Sequence, residues 1–148
     1  MTLTIGTGPF GPEGGRFNFE VKPPRGHVLY FENCPKRVRT VFGGETIADS
    51  RSVKLLHETG LLPVYYFPEG DVRTDLLEPT DHTTHCPFKG DASYWTVRVG
   101  DRVAENAVWG YPEPLEEAPP LAGYVAFYFG KMDRWLEEDE EIDAHPRD

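Results

Sequence analysis

Short apolar runs separated by glycine and proline recur along the chain, and their patterns favour strands over helices. Residues 38–42 and 45–48 flank Gly43-Gly44. Two glycines supply the positive φ angles that a two-residue hairpin turn needs. The pattern therefore predicts a β-hairpin over residues 38–48.

A second hairpin is predicted over residues 94–111, with its turn at Gly100-Asp101. A two-residue loop at that position pairs Trp95 with Asn106. Because side chains alternate across a strand, we expect an apolar core face and a polar opposite face, on which Arg98 and Glu105 pair. The expected core face consists of Trp95, Val97, Val99, Ala104, Asn106 and Val108.

Four further apolar runs also predict strands. Residues 27–31 and 61–67 are short and rich in aromatic or branched residues. Residues 50–57 fit either a helical or a strand face, and the lack of caps and of length favours a strand. The near-continuous apolar run at 121–135 predicts a central strand covered on both faces.

The segments between these runs are predicted to be loops or short helical pieces. Acidic residues before apolar ones over residues 71–77 predict one or two helical turns, and another helical piece is expected near Pro119. Residues 80–92 are expected to be mostly loop. Near the start, Phe17, Phe19 and Val21 alternate, which predicts an edge strand or a leader that drapes over the core.

Together these elements predict a mostly β protein, a single-domain bent antiparallel sheet or open roll of about eight strands with short helical segments. A β-tent-like arrangement is an alternative by analogy, without the zinc cysteines usual in that fold. The expected organisation is a Gly/Pro-rich leader over residues 1–27, a β domain over 28–136, and a solvated acidic tail over 137–148.

Composition agrees with a turn-rich β protein and narrows the function classes. The 148 residues include 15 Gly, 14 Pro, 3 Trp, 7 Tyr and 9 Phe, and the formal net charge is −10. A nucleic-acid surface needs clustered positive charge, so we expect no nucleic-acid partner. The N-terminus lacks the pattern of a signal peptide, and no apolar run approaches the ~20 residues of a membrane span. Two isolated cysteines predict free thiols in a reducing cytoplasm.

Several motifs resemble the signature of the DUF427 family, in the order found there and between Val38 and Glu138. They are Ala48-Asp49-Ser50, Pro63-Val64-Tyr65-Tyr66-Phe67-Pro68, Cys86-Pro87-Phe88-Lys89-Gly90, Ser93-Tyr94-Trp95, Glu105-Asn106-Ala107-Val108-Trp109 and Ala126-Phe127-Tyr128. The resemblance implies a small, mostly β domain without an established activity.

The family is sometimes labelled nucleotidyltransferase-like, yet the chain has neither a glycine-rich phosphate loop nor an Asp-x-Asp metal pair. Some members carry two such domains in tandem. A single-copy chain is therefore expected to form a homodimer if pairing matters.

The stretch from Thr80 to Trp95 holds the most reactive side chains. His82, His85 and Cys86 offer metal ligands within five residues, although the second ligand pair of a zinc ribbon is missing. Cys86 is a candidate nucleophile or a small buried hydrophobe. Lys89 is a candidate anion-binding or Schiff-base residue, or a surface lysine paired with Asp91 or Glu58.

Three functions stay open at this point. The first is a small-molecule-binding domain or small enzyme with a pocket at the Cys86–Gly90 loop, in which Lys89, Asn106 and Trp95 converge on one concavity. The second is a non-enzymatic protein-interaction module, and the third is a metal site at His82, His85 and Cys86. The candidate catalytic residues are Cys86 and Lys89, the candidate ligand-binding residues are Ser50, Tyr65, Trp95, Asn106 and Trp109, and neither a resident metal nor a cofactor is assigned.

Overall fold

The computed structural model describes residue 18 and residues 27–145. The element predicted from Phe17, Phe19 and Val21 lies outside the described residues. The described strands are β1 Leu29–Asn33, β2 Val38–Phe42, β3 Glu45–Ser50, β4 Lys54–Glu58, β5 Val64–Pro68, β6 Leu77–Cys86, β7 Gly90–Val99, β8 Arg102–Gly110, β9 Tyr124–Phe127, β10 Arg134–Glu137 and β11 Glu140–Ile142. Three 3-10 turns, Glu69–Asp71, Thr74–Leu76 and Phe129–Lys131, are the only helical elements of this part of the chain.

The strands form two antiparallel sheets, neither of which closes into a barrel. The seven-stranded sheet has the order β1-β4-β5-β9-β8-β7-β6, and the four-stranded sheet the order β11-β10-β2-β3. The mostly β architecture is confirmed. β9 lies at the centre of the large sheet, between β5 and β8. The single strand predicted over residues 121–135 is wrong in extent, because β9 ends at Phe127 and Trp135 belongs to β10 of the other sheet. Within the described residues, no helix is long and apolar enough to cross a membrane.

The main core lies between the two sheets. The seven-stranded sheet contributes Tyr65, Phe67, Val97, Val108 and Phe127, while the four-stranded sheet contributes Val38, Phe42, Ile47 and Trp135. Because side chains alternate along a strand, the neighbours of these residues face away from the core. Tyr66, Tyr94 and Ala126 form a second buried cluster on that opposite face.

Both predicted hairpins form, each with its predicted turn. Gly43 and Gly44 join β2 to β3 with φ angles of 60° and 81°. In the second hairpin Val99 pairs with Arg102. The segment predicted over residues 50–57 is a strand from Lys54 onward, as β4, whereas Ser50 ends β3. The helical turns predicted at 71–77 appear as a 3-10 turn at Thr74–Leu76.

The prediction that Trp95 pairs with Asn106 is wrong, because the pairing of β7 with β8 contains a bulge between Trp95 and Val97. Trp95 pairs with Val108, and Val97 with Ala104, so three residues of β8 lie opposite Thr96. Asn106 occupies the bulge with φ 49°. The expected pairing of Arg98 with Glu105 is also wrong, since the Arg98 guanidinium binds Glu78 at 2.8 Å.

Three other expectations need correction. Most of the expected loop at 80–92 belongs to β6 and β7, and the turn between them is short. The helical piece expected near Pro119 is a single turn, in which Ala118 N–H donates to Leu115 O at 3.0 Å. The segment after Glu137 keeps exposed carboxylates, but it is not a free tail, because Glu140–Ile142 pairs with β10.

The seven-stranded sheet is strongly curved. The turn between β6 and β7 belongs to one end of the sheet, whereas β1 and β4 belong to the other end. Nevertheless, Phe88 in that turn stacks on His27, just before β1, with ring centroids 3.9 Å apart. The curvature thus brings together residues from opposite ends of the sheet, on the face that carries Tyr66 and Tyr94.

Candidate functional site

The Cys86–Gly90 turn is held in place by the chain that follows β8. Lys89 N–H donates to Cys86 O at 3.3 Å, and Leu115 N–H donates to Lys89 O at 2.9 Å. Gly90 has φ 117°, a conformation that favours glycine. A methyl group at Gly90 would lie 3.2 Å from Glu113 O. The turn therefore needs glycine at this position.

Lys89, Glu58 and His27, which we call the clasp, join the two ends of the curved sheet. Lys89 Nζ donates to Glu58 Oε1 at 2.6 Å, and His27 Nε2 lies 2.7 Å from Glu58 Oε2. The side chains of Lys89 and Glu58 are only 11% and 9% exposed. A buried charge needs a close partner, and here both oxygens of one carboxylate are engaged. Lys89 is therefore paired with Glu58 as one sequence interpretation proposed, but in the interior rather than at the surface.

A cleft of about 540 Å³ opens beside the clasp and is lined by His27, Leu29, Pro87, Phe88, Leu115 and Glu117. We call it the clasp cleft. His27 belongs to both features, since it lines the cleft and contacts the buried Glu58 carboxylate. An imidazole held by a carboxylate through one nitrogen has a fixed ring orientation. The cleft thus combines apolar walls with one oriented polar ring.

Tyrosines surround the inner side of the clasp. Lys89 Nζ lies 5.5 Å from the centre of the Tyr111 ring. Burial, followed by the proximity of Cys86, raises the pKa of Tyr111. Burial also raises the pKa of Tyr66, although the hydrogen bond from Trp109 acts in the opposite direction. Both hydroxyls are therefore neutral near pH 7, where they serve as hydrogen-bonding groups.

The candidate nucleophile Cys86 ends β6 and is half-buried against the second cluster, which contains Tyr66 and Tyr111. Its thiol is free of disulfide bonding, as is that of Cys34. These contacts match the hydrophobic alternative for Cys86.

The structure does not bring Lys89, Asn106 and Trp95 into one concavity. Trp95 packs against the core between the sheets, whereas Lys89 lies beside Tyr111 on the opposite face of the seven-stranded sheet. Asn106 lines another cleft, described below. The predicted convergence is wrong, because the curvature and the bulge separate these three residues.

The three other candidate ligand-binding residues each form a side-chain hydrogen bond within the protein. Ser50 is buried, and its hydroxyl donates to Asp71 Oδ2 at 2.6 Å. Tyr65 is also buried, and its hydroxyl donates to the Glu137 carboxylate. Trp109 is half-buried and its Nε1–H donates to the Tyr66 hydroxyl at 3.3 Å. None of these three side chains lines the clasp cleft.

The proposed metal ligands point to separate partners. The His82 ring packs against Tyr94 with centroids 4.4 Å apart, and His85 Nδ1 lies 2.7 Å from Asp91 Oδ1. Over residues 27–145, no group of three or more His, Cys, Asp or Glu side chains is arranged to hold a metal ion. The arrangement of His82, His85 and Cys86 thus gives no support to a metal site.

Sequence reasoning named His27 and Glu58 only in secondary roles. Glu58 is predicted only as a surface partner of Lys89, and residue 27 only as the start of a short strand. Their separation of 31 residues along the chain gives no local pattern that would join them. Only the pairing of β1 with β4, which places Leu29 opposite Glu58, could have indicated their proximity.

Comparison with known families gives one match. Residues 30–138 match a family described as a domain of unknown function, DUF427. No curated protein matches the chain. The matched range includes Glu58 and Lys89 but begins after His27.

Proposed function

The chain belongs to the DUF427 family, and on that premise we propose that it is a small-molecule-binding domain whose site is the clasp cleft. One observation carries the proposal. His27 lines the cleft and is held by the same buried carboxylate, Glu58, that binds Lys89. A buried three-residue polar network is costly to maintain in an otherwise apolar region unless all its members are satisfied. Its contact with an open cleft is what favours a role in binding.

The chemistry of the cleft favours a largely apolar ligand with one hydrogen-bonding group. Leu29, Pro87, Phe88 and Leu115 supply apolar walls, and Phe88 also fixes the imidazole by stacking. Binding sites of this kind combine apolar surface with a few placed polar groups. The second ring nitrogen of His27 is the polar group that the ligand would meet.

Charge narrows the ligand class further. Glu117 places a negatively charged residue in the lining of the clasp cleft. The clasp contains the cation Lys89, but its charge is balanced by Glu58, whose Oε1 lies 2.6 Å from Lys89 Nζ. Anionic ligands would therefore be repelled. We expect the ligand to be neutral or cationic.

The two candidate catalytic residues, Lys89 and Cys86, both have contacts within the protein. The amine of Lys89 is occupied by Glu58, so an attack on a carbonyl carbon would first require the pair to separate. Cys86 is packed among apolar and aromatic side chains. Substituting Cys86→Ser should consequently leave ligand binding unchanged.

A thermal-shift screen of neutral and cationic aromatic fragments tests the proposal. Fragments that bind the folded protein raise its melting temperature. We expect the shift to be lost in His27→Gln and in Phe88→Ala, and to be kept in the control Leu62→Gln, an exposed residue outside the cleft. A shift that survives in both cleft variants would contradict the proposed site.

A further inference from the structure

We propose a second binding site, for a small aromatic carboxylate, in the cleft beside the β8 bulge. This bulge cleft has a volume of about 380 Å³ and is lined by His82, Tyr94, Glu105, Asn106, Tyr128 and Lys131. It shares no lining residue with the clasp cleft. The inference is therefore independent of the proposed function.

The bulge orients the Asn106 side chain. Asn106 has φ 49°, and asparagine tolerates this left-handed conformation better than most residues. Its backbone N–H donates to Thr96 Oγ1 at 3.1 Å, and its Oδ1 accepts from the Thr80 hydroxyl at 2.6 Å. Since the amide oxygen is occupied, the group that Asn106 offers to a ligand is its NH₂, with two donors.

Lys131 adds positive charge to the same cleft. Lys131 Nζ donates to Glu105 O at 2.7 Å and lies 5.0 Å from the centre of the Tyr128 ring. An ammonium group has three donors, so two are left after the bond to Glu105 O. Among the described residues, no carboxylate forms an ion pair with Lys131. Amide and ammonium donors together match the two oxygens of a carboxylate.

Aromatic rings form the walls of the bulge cleft. The His82 and Tyr94 rings meet edge to face, with centroids 4.4 Å apart. The Tyr94 hydroxyl is held by Thr84 Oγ1 at 2.8 Å, which fixes this wall. Tyr128 is 42% exposed. Flat rings stack or meet edge to face with aromatic walls, so the body of the ligand is expected to be a flat ring.

Glu105 provides a test of the charge argument. Glu105 also lines the cleft, and its negative charge would repel the carboxylate of the ligand through space. Removing the negative charge should therefore strengthen binding, whereas removing the positive charge of Lys131 should weaken it. A site in which these residues only shape the bulge would show no such opposite response.

The experiment is a titration of the ¹⁵N-labelled protein with benzoate, using benzamide as the uncharged control. Benzoate should shift the resonances of residues around Asn106 and bind about tenfold more tightly than benzamide. Lys131→Gln should weaken benzoate binding by about fivefold, while Glu105→Gln should strengthen it by about twofold. Asn106→Asp, which keeps the shape of the side chain but replaces the donor with a charge, should weaken it by about tenfold or more.

His27→Gln should leave benzoate binding unchanged, which separates this site from the clasp cleft. The melting temperature of each variant reports whether the fold is kept. The proposal is overturned if benzoate shifts no resonance near Asn106 at millimolar concentration, or if Lys131→Gln and Glu105→Gln change its affinity in the same direction.

Discussion

Lys89 and Glu58 form a buried ion pair in which each charge depends on the other. Their side chains are 11% and 9% exposed, and the two charged atoms are 2.6 Å apart. The cost of removing two charges from water is recovered only when both partners are present. Loss of one partner should thus be far more damaging than loss of both.

We predict that Lys89→Met lowers the free energy of unfolding by about 3–5 kcal/mol. The double variant Lys89→Met/Glu58→Gln should recover most of this loss, because it no longer buries an unpaired charge. Urea denaturation followed by circular dichroism measures both values. A loss below about 1 kcal/mol in the single variant, as for a surface pair, would contradict this assignment.

Glu137 links β10 to two other parts of the chain. Its carboxylate accepts from Lys36 Nζ at 2.8 Å and from the Tyr65 hydroxyl. Burial raises the pKa of Glu137, but the hydrogen bonds from Lys36 and Tyr65 outweigh burial, and the net pKa lies below the ordinary 4.5. The charged form of Glu137 is therefore favoured by folding.

The sign of this shift predicts a dependence of stability on pH. A carboxyl whose pKa is lowered by folding contributes stability above its unfolded-state pKa, and this contribution is lost as the pH falls through the folded-state pKa. Wild type should thus lose more stability than Glu137→Gln between about pH 4.5 and the lower folded-state value. Urea midpoints at a series of pH values measure the difference, and the exposed Glu116→Gln is the control that should follow wild type.

At the scale of the elements, the entry into β7 depends on a close approach between two backbone segments. Gly90 has φ 117°, and its Cα faces Glu113 O and Leu115 N. The turn that carries Lys89 is held in this way against the chain after β8. A side chain at Gly90 would disturb both the turn and the clasp.

Gly90→Ala is accordingly expected to lower the free energy of unfolding by about 1–3 kcal/mol, through backbone strain and the contact with Glu113 O. Gly70→Ala is a matched control, since nothing lies within 4 Å of a methyl group at Gly70. Chemical denaturation of the two variants should separate them clearly. Equal effects would show that the close approach at Gly90 is unimportant.

Elements whose sequences carry a turn signal or an apolar run could be predicted, whereas a polar edge strand could not. The glycines at Gly43-Gly44 and the pair Gly100-Asp101 located two hairpins, because a tight turn restricts the residues that can form it. β6 was missed, since it is an edge strand with mostly exposed, polar side chains. The backbone makes the pairing of β6 with β7, so the side chains of β6 show no apolar alternation that would predict a strand.

The candidate sites, like the strands, could be predicted only in part. The Cys86–Gly90 loop was located from its motif, yet Glu58, the partner of Lys89, belongs to β4 at the far side of the sheet. The bulge at Asn106 arises from two extra residues in β8, which shift every later rung. A register extrapolated from the turn could not anticipate that shift, so Trp95 and Asn106 were placed together although they are not neighbours.

For the molecule as a whole, Trp135 is a large buried side chain in the interface between the two sheets. It is 2% exposed and stacks on Phe129 at 4.9 Å between ring centroids, with Tyr65 at 5.6 Å. Tyr65 belongs to the seven-stranded sheet and Trp135 to the four-stranded one. Together with Val38, Phe42 and Ile47, Trp135 forms the side of the main core that the four-stranded sheet contributes.

Trp135→Ala should reduce the free energy of unfolding by about 3–5 kcal/mol, because a large cavity would remain between the sheets. Trp109→Ala removes an equally large side chain from the opposite, half-exposed face, and it should cost less. Far-UV circular dichroism in increasing urea measures both without relying on tryptophan fluorescence. If the two substitutions cost the same, the interface between the sheets would not be the main core.

The pairing of β10 with β2 has a consequence for biosynthesis. The Thr40 hydroxyl donates to Arg134 O, 94 residues further along the chain. On the ribosome, the β2–β3 hairpin is complete long before its partner strand emerges. Closing so long a loop carries an entropic cost that is recovered only when the sheet forms. Until then the edge of β2 that will pair with β10 stays open, and an unpaired strand edge exposes the nascent protein to aggregation in this interval.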